Sequence, residues 1–242
     1  MILGDASPLF NLLIAEIEDE YLNLGHTLGW RFLNVSKTVL NGPTRIALIT
    51  INPAGDHIPE DHPSASCEQG SSYLVESWGS DAQGKSTLQV QVQLLFSALA
   101  AEIGYMGPSA QLLEESLISQ FVPFRSPRFA LLPKQTESLD FSRNLWSRIL
   151  PIVSPRLVVC LGRDIQCELL TLLPGSLGVK KIGTESFPTG WGTYTAEVTT
   201  FDKEGMSVRL LYLPHLSTWT LFTTKKCHSY LSAIIHAAAK DV

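Results

Sequence analysis

Four short segments of this chain bring together the side chains best suited to chemistry on a ligand. Thr50-Ile51-Asn52-Pro53-Ala54-Gly55-Asp56-His57 offers a carboxamide, a carboxylate and an imidazole around a tight Pro/Gly turn. Gln120-Phe121-Val122-Pro123-Phe124-Arg125-Ser126-Pro127-Arg128 offers a second carboxamide and two guanidinium groups. Gly162-Arg163-Asp164 and Pro214-His215-Leu216-Ser217-Thr218-Trp219 add a third arginine and a second histidine. A carboxamide can place a water or read the edge of a base, but it does not titrate and cannot act as a strong base. An imidazole can donate a hydrogen bond to negative charge that grows on a leaving group. Asp56 or His57 could add general-base help, a role usually worth about 10²–10⁴-fold. Singly, each is ordinary: Asn-Pro is commonly a turn, and a histidine after a strand is commonly a surface or satisfied core residue.

Their placement after apolar runs is what joins them. Residues 45–51, 117–122, 156–161 and 208–213 are nearly continuous Val, Ile and Leu without alternation, as in strands covered on both faces of a parallel sheet. Helical patterns at 87–103, 141–150, 164–173 and 225–239 lie between or after them. A further helix starts at Ser7-Pro8, a cap residue followed by proline, and stops near Gly25. This alternation predicts an α/β protein, a three-layer α/β/α arrangement around a mainly parallel four-stranded sheet. It also predicts a single domain over 1–242 with a helical 1–40 region packed on it. Ligands of such sheets bind outside the carboxyl ends of the strands, where all four segments fall. Residues 52–86 form a long polar connection of the kind that is usually functional or mobile.

Composition narrows the class. The chain has 242 residues, 45% hydrophobic and 17% charged, enough for a full core without staples. Cys67, Cys160, Cys167 and Cys227 form no CxxC pair and no zinc or cluster spacing, so the expectation is no metal and no cofactor. No stretch approaches the ~20 apolar residues of a membrane helix. Met1 to Ala6 carries no Lys or Arg, and the apolar face that follows bears Glu16, Glu18, Asp19 and Glu20, unlike a signal peptide. A cytoplasmic monomer is expected. Charge is uneven: residues 1–120 hold 4 Lys/Arg against 14 Asp/Glu, and residues 121–242 hold 14 against 9. The basic half can meet a phosphate backbone, since screening makes local charge decide at contact.

One rival motif stands apart. Gly79-Ser80-Asp81-Ala82-Gln83-Gly84-Lys85-Ser86 fits the P-loop pattern GxxxxGK[ST]. A P-loop requires a buried strand before it, whereas residues 72–78 are polar, and a strand ending in Asp for magnesium, which none of the four provides.

Taken together, strand-Asn52-Pro53-x-Gly55, strand-His215-x-Ser217, Pro-Phe-Arg-Ser-Pro after the second strand and Leu161-Gly162 after the third resemble the uracil-DNA glycosylase superfamily over residues 45–235. The Asn-Pro form looks like its mismatch-specific and single-strand-selective branches. The resemblance implies that Asn52 places a water beneath the sugar C1′ and that His215 faces the pyrimidine O2. It implies a base pocket from Ile51, Pro53, Ala54, Gly55, Gln120, Phe121 and Ser217. Arg125, Arg128, Arg163, Lys85, Ser86, Thr218 and Trp219 are the candidate DNA contacts, with Trp219, Leu221 or Phe222 filling the space left by a flipped base. Three positions depart from the family: Gln120 for Asn, Leu216 for the Pro of His-Pro-Ser, and Ala54 where strict uracil enzymes carry a bulky Tyr. The small Ala54 suggests a base larger than uracil, and superfamily members that remove glucosylated hydroxymethylcytosine from phage DNA would fit. The expected partner is DNA presenting a flipped-out or single-stranded nucleotide. A family member that grips DNA without cleaving it is the remaining alternative.

Overall fold

A computed structural model describes residues 8–58, 62–203 and 205–242. The Ser7 cap, the Met1–Ala6 stretch, and Glu60 and Asp61 of the long connection lie outside them. The protein is α/β, with a six-stranded mixed sheet in the order β2-β1-β3-β6-β5-β4 and seven α-helices among the described residues. The four apolar runs form β1 (Ile46–Thr50), β2 (Leu117–Gln120), β3 (Leu157–Leu161) and β6 (Met206–Leu213). All of them pair in parallel. Every residue of β1, β2 and β3 is buried, as their unalternating patterns require.

Two further strands extend the four expected. β4 (Lys180–Pro188) and β5 (Thr195–Lys203) form an antiparallel hairpin, and β5 pairs antiparallel with β6. β4 is exposed along almost its whole length, so it has no apolar signature. As an edge strand it carries Lys180, Lys181 and Glu185 and a register shift between Lys181 and Gly183, devices that keep an open edge from pairing with another chain.

The helices are α1 (Pro8–Asn23), α2 (Ser72–Val75), α3 (Thr87–Glu102), α4 (Ser109–Glu115), α5 (Gln135–Val153), α6 (Arg163–Leu177) and α7 (His228–Ala239). The last helix of the sequence pattern divides, with residues 225–227 forming a 3-10 turn ahead of α7. α5 packs with α6, and α3 packs with α4 and α7. One contiguous apolar core runs from Phe10 to Ala239, and α1 joins it through Phe10, Leu13 and Ile17. From β1 the chain moves to β2 on one side and then to β3 on the other. The strand order therefore reverses between β1 and β3, which opens a crevice at their carboxyl ends. No helix of the described residues is long and apolar enough to cross a membrane.

Candidate functional site

The loop after β1 is tied to the loop after β2 along its whole length. Phe121 and Val122 N–H donate to the carbonyls of Thr50 and Ile51 at 2.7 and 2.8 Å, and Ser126 N–H donates to Pro53 O at 3.2 Å. Asn52 sits in this seam, half-buried. Its Nδ2 donates to Ser126 Oγ at 2.9 Å, to Pro53 O at 3.1 Å and to Phe124 O at 3.4 Å. Two of these partners are carbonyls, which only accept, so the amide has one orientation: nitrogen inward and Oδ1 left over. Ser126 is fully buried, and its hydroxyl donates in turn to Arg128 O at 2.8 Å. The residue that holds Asn52 lies inside the Pro-Phe-Arg-Ser-Pro segment, yet its role is visible only in three dimensions.

Arg125 does not reach solvent as a phosphate ligand would. It is 8% exposed, its Nη1 donates to Ala54 O, and its Nε is buried without a partner. Gly55 has φ +101°, and a Cβ there would lie 3.3 Å from Arg125 Nη1, so backbone and neighbour both call for glycine. Arg125 thus braces the turn from inside. Behind it Arg31 donates two hydrogen bonds to Glu76 at 2.8 and 2.6 Å, and Trp78 Nε1 adds a third at 2.9 Å. Burial pushes the Glu76 carboxyl up, but these donors outweigh it and hold the group below its ordinary value. Ala54 is exposed, as are Asp56 and His57, which bond each other at 2.7 Å. That bond keeps Asp56 ionised below the usual carboxylate range.

Gln120 ends β2, 8% exposed, and accepts the Thr50 hydroxyl on its Oε1. Its Nε2 has no partner among the described residues. Phe121 faces the core: it is fully buried, parallel to Trp146 at 6.1 Å, and its carbonyl accepts Trp146 Nε1 at 2.9 Å. Its side chain lines no open pocket.

At the end of β6, His215 is half-buried at the start of a tight turn in which Thr218 and Trp219 N–H both donate to its carbonyl at 3.0 Å. Its Nδ1 receives the Ser217 backbone N–H at 3.4 Å and faces Ser217 Oγ at 2.8 Å. An N–H can only donate, so Nδ1 is the bare nitrogen and the proton of the neutral ring sits on Nε2. Burial lowers the His215 pKa and favours that neutral form. Leu216 is fully buried and anchors the turn to the core. Between the two, Gly162 follows β3 and caps the start of α6 with φ +106°, and nothing lies within 4 Å of where its Cβ would be.

The remaining candidate cations divide. Arg128 is exposed, and its guanidinium has no partner among the described residues. Arg163 is half-exposed but engaged, donating to Gln166 at 2.6 Å and Glu197 at 2.9 Å and lying 4.2 Å over Tyr212. Lys85 is exposed, whereas Ser86 is the buried N-cap of α3 in a capping box with Gln89. The N–H groups of Gly84, Lys85 and Ser86 go to Glu76 O, Ala82 O and Gln89 Oε1. The segment before them is coil and the short helix α2, not a strand, so 79–86 lacks the strand of a phosphate cradle, and the three amides at its helix end are already engaged. Thr218 and Ser217 are exposed, while Leu221 and Phe222 are core residues and fill no external space.

No family model matches the chain, and no curated protein matches it. The geometry therefore carries the functional argument alone.

Proposed function

We propose that this protein is a monofunctional DNA glycosylase of the uracil-DNA glycosylase type, acting on uracil or a larger modified pyrimidine and built on that superfamily's three-layer α/β/α plan. The observation that carries the reading is the complementary exposure of Asn52 and His215. Each is tied down through the nitrogen it does not need, which leaves an acceptor oxygen on one and an N–H donor on the other. They follow β1 and β6, which are separated only by β3, hence about 10 Å apart by strand spacing, with the open Gly162 between.

Cleavage of an N-glycosidic bond makes the sugar positive and the departing pyrimidine negative. In this reading Asn52 Oδ1 accepts from a water and holds it beneath C1′; the amide orients the water without deprotonating it. His215 Nε2–H donates to the pyrimidine O2 as charge collects there, and its half-buried setting strengthens that bond. The water oxygen bonds to C1′, the C1′–N bond breaks with its electrons leaving on the base, and the water's proton passes to solvent or to Asp56. Gln120 Nε2, a donor, meets a carbonyl at C4 and favours uracil- or thymine-like bases over cytosine-like ones. The exposed Ala54 leaves room for a 5-substituent. Arg128, exposed and joined to Asn52 through the Ser126 hydroxyl that donates to its carbonyl, is placed to meet a phosphate. The mechanism uses no metal or organic cofactor.

The test offers oligonucleotides carrying uracil, a thymine mismatch, hydroxymethylcytosine or glucosylated hydroxymethylcytosine to wild type and Asn52→Ala, with alkali to break abasic strands. Breakage of one substrate, abolished in Asn52→Ala, is expected. No breakage of any of them, with ATP hydrolysis lost in Lys85→Ala, would overturn the reading in favour of a P-loop enzyme.

A further inference from the structure

The β4–β5 hairpin that the sequence pattern conceals delivers two aromatic rings to the histidine loop. Trp219, whose N–H bonds to the His215 carbonyl, packs against Tyr194 at 4.0 Å between ring centroids and against Trp191 edge-on at 5.9 Å. Trp191 carries Lys226 Nζ 4.8 Å above its ring. The hairpin tip is rigid. The N–H and hydroxyl of Thr189 both donate to Tyr194 O, and Tyr194 N–H donates to Trp191 O at 3.1 Å. Gly190, at φ +76°, lies so close to the start of α7 that a Cβ would sit 2.6 Å from the Tyr230 ring and 2.9 Å from Lys226 O. The tip is thus docked on α7 rather than loose.

This arrangement does not suit Trp219 to act as a plug that slides into a duplex, because two rings already hold it. It suits a fixed stacking platform. Tyr194 is 43% exposed with Trp219 against one face of its ring; Lys226 lies over the neighbouring Trp191 ring, and Lys225, next to it in the chain, is exposed as well. An aromatic surface edged by cations matches the composition of single-stranded nucleic acid, an unstacked base beside a phosphate. A paired strand keeps its bases stacked and offers no free face.

We propose that Tyr194, backed by Trp219 and through it by Trp191, with Lys226 over the Trp191 ring and Lys225 next in the chain, forms a subsite that stacks an unpaired base of single-stranded nucleic acid next to the His215 loop. As the flanking subsite of the glycosylase it rests on that reading and makes single-stranded DNA the preferred substrate.

The test is fluorescence anisotropy with labelled (dA)8, a hairpin that holds the same (dA)8 paired to (dT)8 behind a G·C clamp so that it stays duplex at assay concentration, and an eight-unit abasic strand. (dA)8 contains no pyrimidine, so its binding is independent of cleavage. The expected order is (dA)8 tighter than duplex or abasic strand. Tyr194→Ala weakens (dA)8 by about 5- to 150-fold, the equivalent of one lost base stack. Tyr194→Phe keeps the affinity, and thermal unfolding confirms that both variants fold. Lys225→Ala with Lys226→Ala lowers the slope of log affinity against log salt by about 1.4, roughly 0.7 per phosphate contact on a single strand. Unchanged binding by Tyr194→Ala, or duplex bound as tightly as (dA)8, overturns the platform even if a pyrimidine substrate is cleaved. Tyr194-dependent binding of (dA)8 without cleavage of any pyrimidine substrate upholds the platform and overturns the glycosylase instead.

Discussion

Replacing Asn52 by aspartate tests the geometry of the site without presupposing its activity. The nitrogen of Asn52 points at Pro53 O and Phe124 O, 3.1 and 3.4 Å away. A carboxylate there would set oxygen against oxygen. Ser126 can turn its hydroxyl to donate to the new group, but Phe124 O loses its donor and Pro53 O is left with the Ser126 N–H alone, each now facing a carboxylate oxygen. Each such loss costs about 1–3 kcal/mol, and a half-buried site argues for the lower end, so Asn52→Asp should cost about 2 kcal/mol at neutral pH. For a chain of this size that is a Tm lower by about 4–8 °C. The sign of the pH dependence follows from the same contacts. Carbonyls disfavour the charged carboxyl, so its folded pKa rises above the unfolded value near 3.9. The stability is then fullest below that value and is lost as pH climbs through the raised folded pKa. Calorimetry at pH 5 and 7.5 should show a wider gap from wild type at pH 7.5, while Asn52→Ala shows the same gap at both. An aspartate variant as stable as wild type at pH 7.5, or a gap that widens on acidification, would refute the assigned amide orientation.

Other outcomes follow from the same contacts. Ser126→Ala removes the 2.9 Å partner of Asn52 and should lower kcat by about 5- to 30-fold with little change in KM, since one hydrogen bond of about 1–2 kcal/mol positions the water holder. A matched rise in KM would mean that Ser126 binds substrate instead. Because burial lowers the His215 pKa, cleavage should stay flat as pH falls to 6.5 and decline only below it, where protonation of Nδ1 breaks its contact with Ser217 N–H; a midpoint above 6.5 would contradict the neutral donor. Thr50→Val frees Gln120 Oε1 and should reduce discrimination between 4-oxo and 4-amino pyrimidines by about 5- to 10-fold in competition assays, the scale of one hydrogen bond. Arg31→Met strands the buried Glu76 carboxylate and should cost about 3–5 kcal/mol in denaturant unfolding; a loss under about 1 kcal/mol would show that Trp78 and His62 suffice to hold it.

The four parallel strands were legible because burial on both faces writes an unbroken Val/Ile/Leu run, as in Leu157–Leu161. β4 and β5 were not. β4 lies on the exposed edge with Lys180, Lys181, Gly183 and Glu185, and nothing in its own residues demands burial. The same hidden hairpin concealed the partners of Trp219. Asn52, Gln120 and His215 were legible as polar side chains at strand ends, a local property. The burial of Arg125 was not, because it depends on backbone near Gly29 and Ala54 closing over it from distant parts of the chain. The sequence also showed that the pattern at 79–86 lacks a preceding buried strand, and the structure has none there; what it hid was the packing of Gly84, where a Cβ would meet Leu74 O at 2.9 Å.

The most direct measurement is mass spectrometry of the products from a single-stranded uracil oligonucleotide incubated with the protein in ¹⁸O-labelled water. The account predicts free uracil without label, an intact strand carrying one abasic sugar labelled at C1′, and neither product with His215→Ala at matched concentration. Label in the released base, a cut phosphodiester in place of an abasic site, or equal yields from wild type and His215→Ala would contradict it.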